Sequence, residues 1–187
     1  MRLISFVILF SLFHTTAFSM LYSGVITKGS PYGYRIKESR IDKTYSLTFA
    51  NQTVENMFGK LKINDFVTFE GARSSATNTI RVESVNYVGL TDLIGVWQGD
   101  DNYCYNFNSF TELWIYFRTG PGCGHQTFES RIYAYTVNPS DPDWIILLSD
   151  NQSSYIADLV VEDEKSINIS LYDSNSGNIL RHIKLKK

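Results

Sequence analysis

Beyond Ser19 the chain is built from short alternating runs in which Tyr, Phe, Val, Ile or Thr recurs at every second position, broken by Gly, Asn, Asp, Ser and Pro. Alternation with period two in branched and aromatic residues marks half-buried strands. It predicts strands near Tyr22–Thr27, Tyr34–Lys37, Tyr45–Phe49, Asp65–Gly71 and Thr79–Tyr87. Further runs predict strands near Leu93–Trp97, Tyr103–Phe107, Thr111–Arg118, Phe128–Val137, Trp144–Ser149, Tyr155–Glu162, Ser166–Tyr172 and Ile179–Lys186. One stretch departs from the pattern. Val54, Met57, Phe58 and Leu61 recur at helical spacing and predict a short helix over Val54–Lys62. Turn chemistry separates the runs, as in Gly29-Ser30-Pro31-Tyr32-Gly33 and Asn138-Pro139-Ser140-Asp141-Pro142.

The elements divide at Gly89-Leu90 into two units, 20–90 and 91–187, with no Pro- or Ser-rich linker between them. In the first unit, five strands carry a helix between the third and fourth, and Leu61-Lys62-Ile63-Asn64-Asp65-Phe66-Val67-Thr68-Phe69-Glu70-Gly71 turns the chain into the fourth strand. This order resembles bacterial OB-fold domains, and the resemblance implies a small Greek-key barrel. The second unit opens on Leu93-Ile94-Gly95-Val96-Trp97, similar to the Gly-x-Trp start of lipocalin-like barrels, and the resemblance implies that Trp97 plugs one barrel end. Its eight sequential strands suit an up-and-down antiparallel barrel, which leaves no exposed edge. The expected fold class is therefore all-β, an OB-like five-stranded barrel followed by an eight-stranded lipocalin-like barrel. Trp97, Tyr103, Tyr105, Phe107, Phe110, Trp114, Tyr116, Phe117, Phe128, Tyr133, Tyr135 and Trp144 crowd the second unit. An eight-stranded barrel is just wide enough to be filled by side chains or to hold one small ligand. So many rings predict a filled interior, with an apolar pocket as the alternative.

Residues 1–19 read as a secretory signal peptide. Arg2 gives a positive start, Leu3–Phe13 an apolar core, and Ala17-Phe18-Ser19 small residues at −3 and −1, so Met20 begins the mature chain. The apolar core is about eleven residues, short of the roughly 20 that a membrane-spanning helix needs. No Cys follows it, which argues against a lipid-anchored start. The expected location is secreted or periplasmic. The mature chain then holds 16 basic and 19 acidic residues, a net charge of −3, distributed as +3 over 20–90 and −6 over 91–187. The asymmetry permits electrostatic contact between the units.

Export changes the meaning of Cys104 and Cys123, the two cysteines of the chain. In an oxidising compartment they read as a disulfide, contributing about 3 kcal/mol in the chain-entropy model. With His125 as the one nearby partner, they fall short of a closed zinc site. Catalytic signatures such as Gly-x-Ser-x-Gly, His-Glu-x-x-His or a phosphate-binding loop are missing. His182 alternates with Lys184 and Lys186 and reads as a solvent-facing strand residue. A hydrolase using two carboxylates from Asp100, Asp101, Glu112 and Glu129 is the third reading of function. Asp173-x-Asn175-x-Gly177 spaces oxygen donors as calcium loops do, but lacks their acidic twelfth position and reads as a hairpin turn. No catalytic, cofactor-binding or metal-binding residues are assigned, and no cofactor is expected.

What remains is binding. The first reading is an exported, soluble, non-enzymatic binding or accessory protein of the envelope or exterior, its partner a protein or a small ligand. The alternative places an oligosaccharide or nucleic acid on the OB-like face, where Lys28, Tyr32, Tyr34, Arg35 and Lys37, with Arg40, Lys43 and Tyr45 nearby, set basic groups beside rings. A net charge of +3 is a faint footprint for a nucleic-acid binder, and export removes most such targets.

Overall fold

The computed structural model describes residues 19–29, 33–74, 76–124, 130–140, 143–173 and 176–187. The first eighteen residues, and with them nearly all of the expected signal peptide, lie outside the described residues, as do Tyr32, His125, Phe128, Glu129 and Asn175. The chain is all-β. Among the described residues, one short α-helix interrupts thirteen strands that form a single continuous hydrogen-bonded sheet.

The first five strands are β1 (Met20–Lys28), β2 (Arg35–Glu38), β3 (Lys43–Phe49), β4 (Phe66–Ser74) and β5 (Thr79–Gly89). They pair in the order β1-β2-β3-β5-β4 and return to β1, closing a ring in which β3 and β5 run parallel and every other pair is antiparallel. Ile26, Ile36, Tyr45, Leu47, Val67, Phe69, Ile80 and Val82 turn inward and are buried, because alternate residues of each strand face the same side. Closure needs two backbones to approach closely at Gly24, where a Cβ would stand 2.2 Å from the Lys37 carbonyl oxygen.

Helix α1 (Gln52–Gly59) lies between β3 and β4 and closes the ring with Val54 and Phe58. It begins and ends earlier than the apolar spacing predicts. The side-chain oxygen of Asn51 accepts from the Val54 N–H at 3.0 Å, so the cap, three residues before the first apolar position, sets the start. The Lys60 N–H already bonds back to the Met57 carbonyl, leaving Leu61 in the following turn.

The remaining strands are β6 (Gly95–Gly99), β7 (Tyr103–Phe107), β8 (Glu112–Phe117), β9 (Arg131–Pro139), β10 (Trp144–Ser149), β11 (Ser154–Asp163), β12 (Ser166–Tyr172) and β13 (Ile179–Lys186). Each pairs antiparallel with the next, and β13 pairs back onto β6 through Leu185–Gly99 and Lys186–Gln98, closing an eight-stranded antiparallel barrel consistent with a lipocalin-like one. Between the two rings, Thr91–Leu93 forms a single 3₁₀ turn, which delays the sixth strand to Gly95.

The seam between ring and barrel is built from both sheet and side chains. Val88 of β5 pairs with Val137 of β9. Phe110, from the β7–β8 turn, stacks on Phe66 at 6.0 Å between ring centroids, and its carbonyl accepts from the Tyr87 hydroxyl. Gly89 leaves room for that ring, since a Cβ there would lie 2.7 Å from it. Lys60 donates to the Ser140 carbonyl and stands over the Trp144 ring at 5.9 Å. Lys62 pairs with Asp92 at 2.5 Å, one contact of the kind the uneven charge distribution permits. Among the described residues no helix is long and apolar enough to cross a membrane.

Candidate functional site

The interior of the eight-stranded barrel is packed at the end facing the five-strand ring. Trp97 is fully buried, donates its indole N–H to the Leu93 carbonyl at 2.7 Å and carries the Lys187 ammonium over its face at 4.4 Å. Phe107 and Tyr135 meet edge-on beside it at 5.3 Å, and Val137, Leu159, Ile167 and Leu185 fill the remaining space. Trp97 thus occupies the place its Gly-x-Trp context predicts.

The opposite end differs from the filled interior expected of so many rings. There the barrel opens as a cup of about 700 Å³, within the 300–1,000 Å³ typical of small-molecule sites. The physical reason is strand parity. Leu113, Ile115 and Phe117 of β8 point inward, so Trp114 and Tyr116 point out. Trp114 donates to the Glu112 carboxylate at 2.6 Å on that outer face, and Phe110 is spent on the seam. Aliphatic residues are left to line the cup, with Leu113, Ile146, Leu148, Ile169 and Ile183 buried in its wall. Four tyrosines, 103, 105, 133 and 155, add hydroxyls. Tyr103 and Phe117 meet edge-on at 5.6 Å at the rim and are 36% and 52% exposed, so two rings reach solvent there.

Two arginines also line the cup, Arg131 at the start of β9 and Arg181 near the start of β13. Asp101 holds Arg181. Its Oδ2 accepts from the guanidinium at 3.1 Å and from the Tyr105 hydroxyl at 2.7 Å. Gly99 makes this possible, because a Cβ there would lie 2.4 Å from the Asp101 carboxylate. Burial, reinforced by the Asp101 carboxylate, pushes the Tyr105 phenol far above its ordinary range and keeps it a proton donor. Arg131 is exposed and stands two positions before Tyr133 on the inward side of β9.

Cys104 and Cys123 form the disulfide, with Cα atoms 5.7 Å apart. Cys104 alternates with the inward Tyr103 and Tyr105 and therefore faces outward, so the bridge straps the β8–β9 loop to the outer wall beside the cup. The Tyr116 hydroxyl donates to the Cys123 carbonyl at 3.2 Å under this strap. Both Cys104 and Tyr116 are buried.

The other candidates distribute as follows. Asp100 accepts from the Lys184 N–H at 3.1 Å, and Glu112 from Asn108 and Trp114 at the other end of the barrel. His182 is exposed and meets the Ser170 hydroxyl at 2.9 Å. Asp173 accepts from the Ser176 N–H at 2.8 Å within its turn. Among the described residues no three His, Cys, Asp or Glu side chains gather as metal ligands do. On the five-strand ring, Arg35 and Lys37 share the outer face of β2, Lys37 pairing with Asp42 at 2.7 Å, and Lys28 ends β1 opposite Arg35. Tyr34 lies edge-on to Phe49 and Phe58 at 5.2 and 6.0 Å, and Tyr45 is buried beneath Lys43 and Arg73. Tyr32 lies outside the described residues.

The chain matches no protein-family model, and neither the curated proteins nor the solved structures contain a significant match to it.

Proposed function

We propose that this is an exported, non-enzymatic binding protein whose eight-stranded barrel carries a small, largely apolar molecule in its open cup. The observation that carries the reading is the cup itself, with about 700 Å³ of space over an aliphatic floor inside a closed barrel. An apolar ligand that displaces water from the aliphatic part of this surface gains the free energy of burying it. The signal-peptide layout of residues 1–19 and the Cys104–Cys123 bridge support export. Calorimetric titration with hexanol, octanol and decanol tests the cup. Affinity rises about fourfold for each methylene buried, from about 0.8 kcal/mol per CH₂, until the cup is full. Affinity independent of chain length overturns the reading.

A second reading concerns the five-strand ring. Its pairing order, parallel β3–β5 contact and helix between β3 and β4 support an OB-like assignment, and the outer face of β2 and β3 is where such domains bind oligosaccharides and nucleic acids. Arg35 and Lys37 favour it, but Tyr34 and Tyr45 pack inward and offer no stacking platform on that face. Salt-sensitive binding of a single-stranded oligonucleotide or acidic glycan, lost in Arg35→Glu, would promote this reading over the first.

A further inference from the structure

The charges of the cup narrow its ligand beyond an apolar molecule, an inference that rests on the reading just given. Arg131 and Arg181 line the cup, and among the described residues no carboxylate does. β9 and β13 stand four places apart in a ring of eight strands, so the two guanidinium groups reach the mouth from opposite sides. Asp101, with its side chain only 7% exposed, pairs with Arg181 at 3.1 Å and is not among the residues that line the cup. The Tyr105 hydroxyl holds Asp101, and Asp101 in turn orients the Arg181 guanidinium, whose side chain is 52% exposed. The rest of the wall combines Tyr105, Tyr133 and Tyr155 with an aliphatic surface that includes Leu113 and Ile146.

A cationic mouth above an apolar floor complements one kind of molecule. We propose that the cup takes a single-tailed amphiphile with an anionic head, such as a long-chain carboxylate. The tail lies on Leu113, Ile146 and Ile169, and the head sits between Arg131 and Arg181. Charge-assisted hydrogen bonds from guanidinium to carboxylate are about twice as strong as neutral ones. A neutral head leaves that bonding capacity unused, and a cationic head is repelled, which gives the site its selectivity.

Calorimetric titration of the full mature chain with decanoate, decanol and decylamine at pH 7 and low salt tests this. Decanoate is expected to bind at least tenfold more tightly than decanol, and decylamine more weakly than either. In Arg131→Gln/Arg181→Gln the decanoate-to-decanol ratio falls toward one while decanol affinity is retained. In Arg131→Glu/Arg181→Glu the order of decanoate and decylamine inverts. Circular dichroism and the melting temperature of each variant establish that the barrel is intact. Equal affinity for decanoate and decanol in the native protein, or an unchanged ratio in the double Gln variant, overturns the anionic-head assignment and leaves the cup reading standing. Failure of all three ligands to bind overturns both.

Discussion

The carboxylate of Asp65 accepts a 2.7 Å hydrogen bond from the backbone N–H of Thr91, so the turn that launches β4 is tied to the segment leading into the barrel. The other carboxylate oxygen accepts from the Lys62 N–H, also at 2.7 Å, and the Thr91 hydroxyl returns a bond to the Asn64 carbonyl at 2.8 Å. Asp65 is 2% exposed. A buried carboxylate is costly unless hydrogen-bonded, and here its bonds satisfy two backbone donors that no strand or helix reaches.

Asp65→Ala should therefore destabilise the protein by about 1–3 kcal/mol, the cost of leaving buried hydrogen-bonding groups without partners. Asp65→Asn keeps one acceptor oxygen and should cost less than Asp65→Ala. Urea denaturation checks both, and a loss for Asp65→Ala below the error of extrapolation would show that the tie contributes nothing.

Two carboxylates should titrate in opposite directions. Burial raises the Asp65 pKa above its ordinary value, against the lowering effect of its backbone bonds. Its contribution to stability is thus fully present below the unfolded-state pKa and is lost as pH rises through the higher folded value. Glu162 behaves in reverse. Hydrogen bonds from Ser166, Lys184 and Asn168 lower its pKa to about 2, and its contribution is present above the ordinary value and lost as pH falls through about 2. Carboxyl ¹³C NMR titration reads both sites, and either one titrating on the other side of its ordinary value refutes the assignment.

Period-two alternation made all thirteen strands legible, because the barrel walls bury one face and expose the other. Cys104 between Tyr103 and Tyr105 shows the limit of that signal. Parity says that the cysteine faces away from the tyrosines, but only closure of the barrel says which side is the interior. The cup escaped for the same reason, since counting rings cannot reveal that Trp114 and Tyr116 point outward. Arg131 and Arg181 are fifty positions apart in sequence and share a mouth only because β13 returns to β6. The helix start was legible in principle. Asn51 is a strong cap residue, but the cap lies three positions before Val54, where apolar spacing carries no signal.

The seam depends on a missing side chain. Gly89→Ala sets a methyl 2.7 Å from the Phe110 ring and must displace it from Phe66 and Tyr87. Forced overpacking of this kind costs about 1–3 kcal/mol. Thermal denaturation should show a lower melting temperature for Gly89→Ala, and Phe110→Ala in the same background should relieve the clash, making the two substitutions non-additive.

Replacing Cys104 and Cys123 together by Ser should cost about 2–4 kcal/mol, because the bridge restricts the unfolded chain and holds the loop over Tyr116. Free-thiol titration of the native, unreduced protein should find none. Denaturant midpoints of the double variant and parent that coincide would show that the strap is not needed for stability.

Filling the cup separates an open barrel from a packed one. Leu148 is 7% exposed and lines the cavity wall. If the interior were as tightly packed as an ordinary core, Leu148→Trp would force neighbouring side chains out of their rotamers at a cost of about 1–3 kcal/mol. In a cup of about 700 Å³ the indole has space to enter. The expected loss in stability is then below about 1 kcal/mol, or a small gain, because the ring buries new apolar surface without displacing neighbours. The same substitution should weaken decanol binding at least tenfold by occupying the space the tail would take. Urea denaturation and calorimetry on one preparation give both numbers. A variant that is strongly destabilised, or one that binds decanol as the parent does, would show that this space is not open to a ligand.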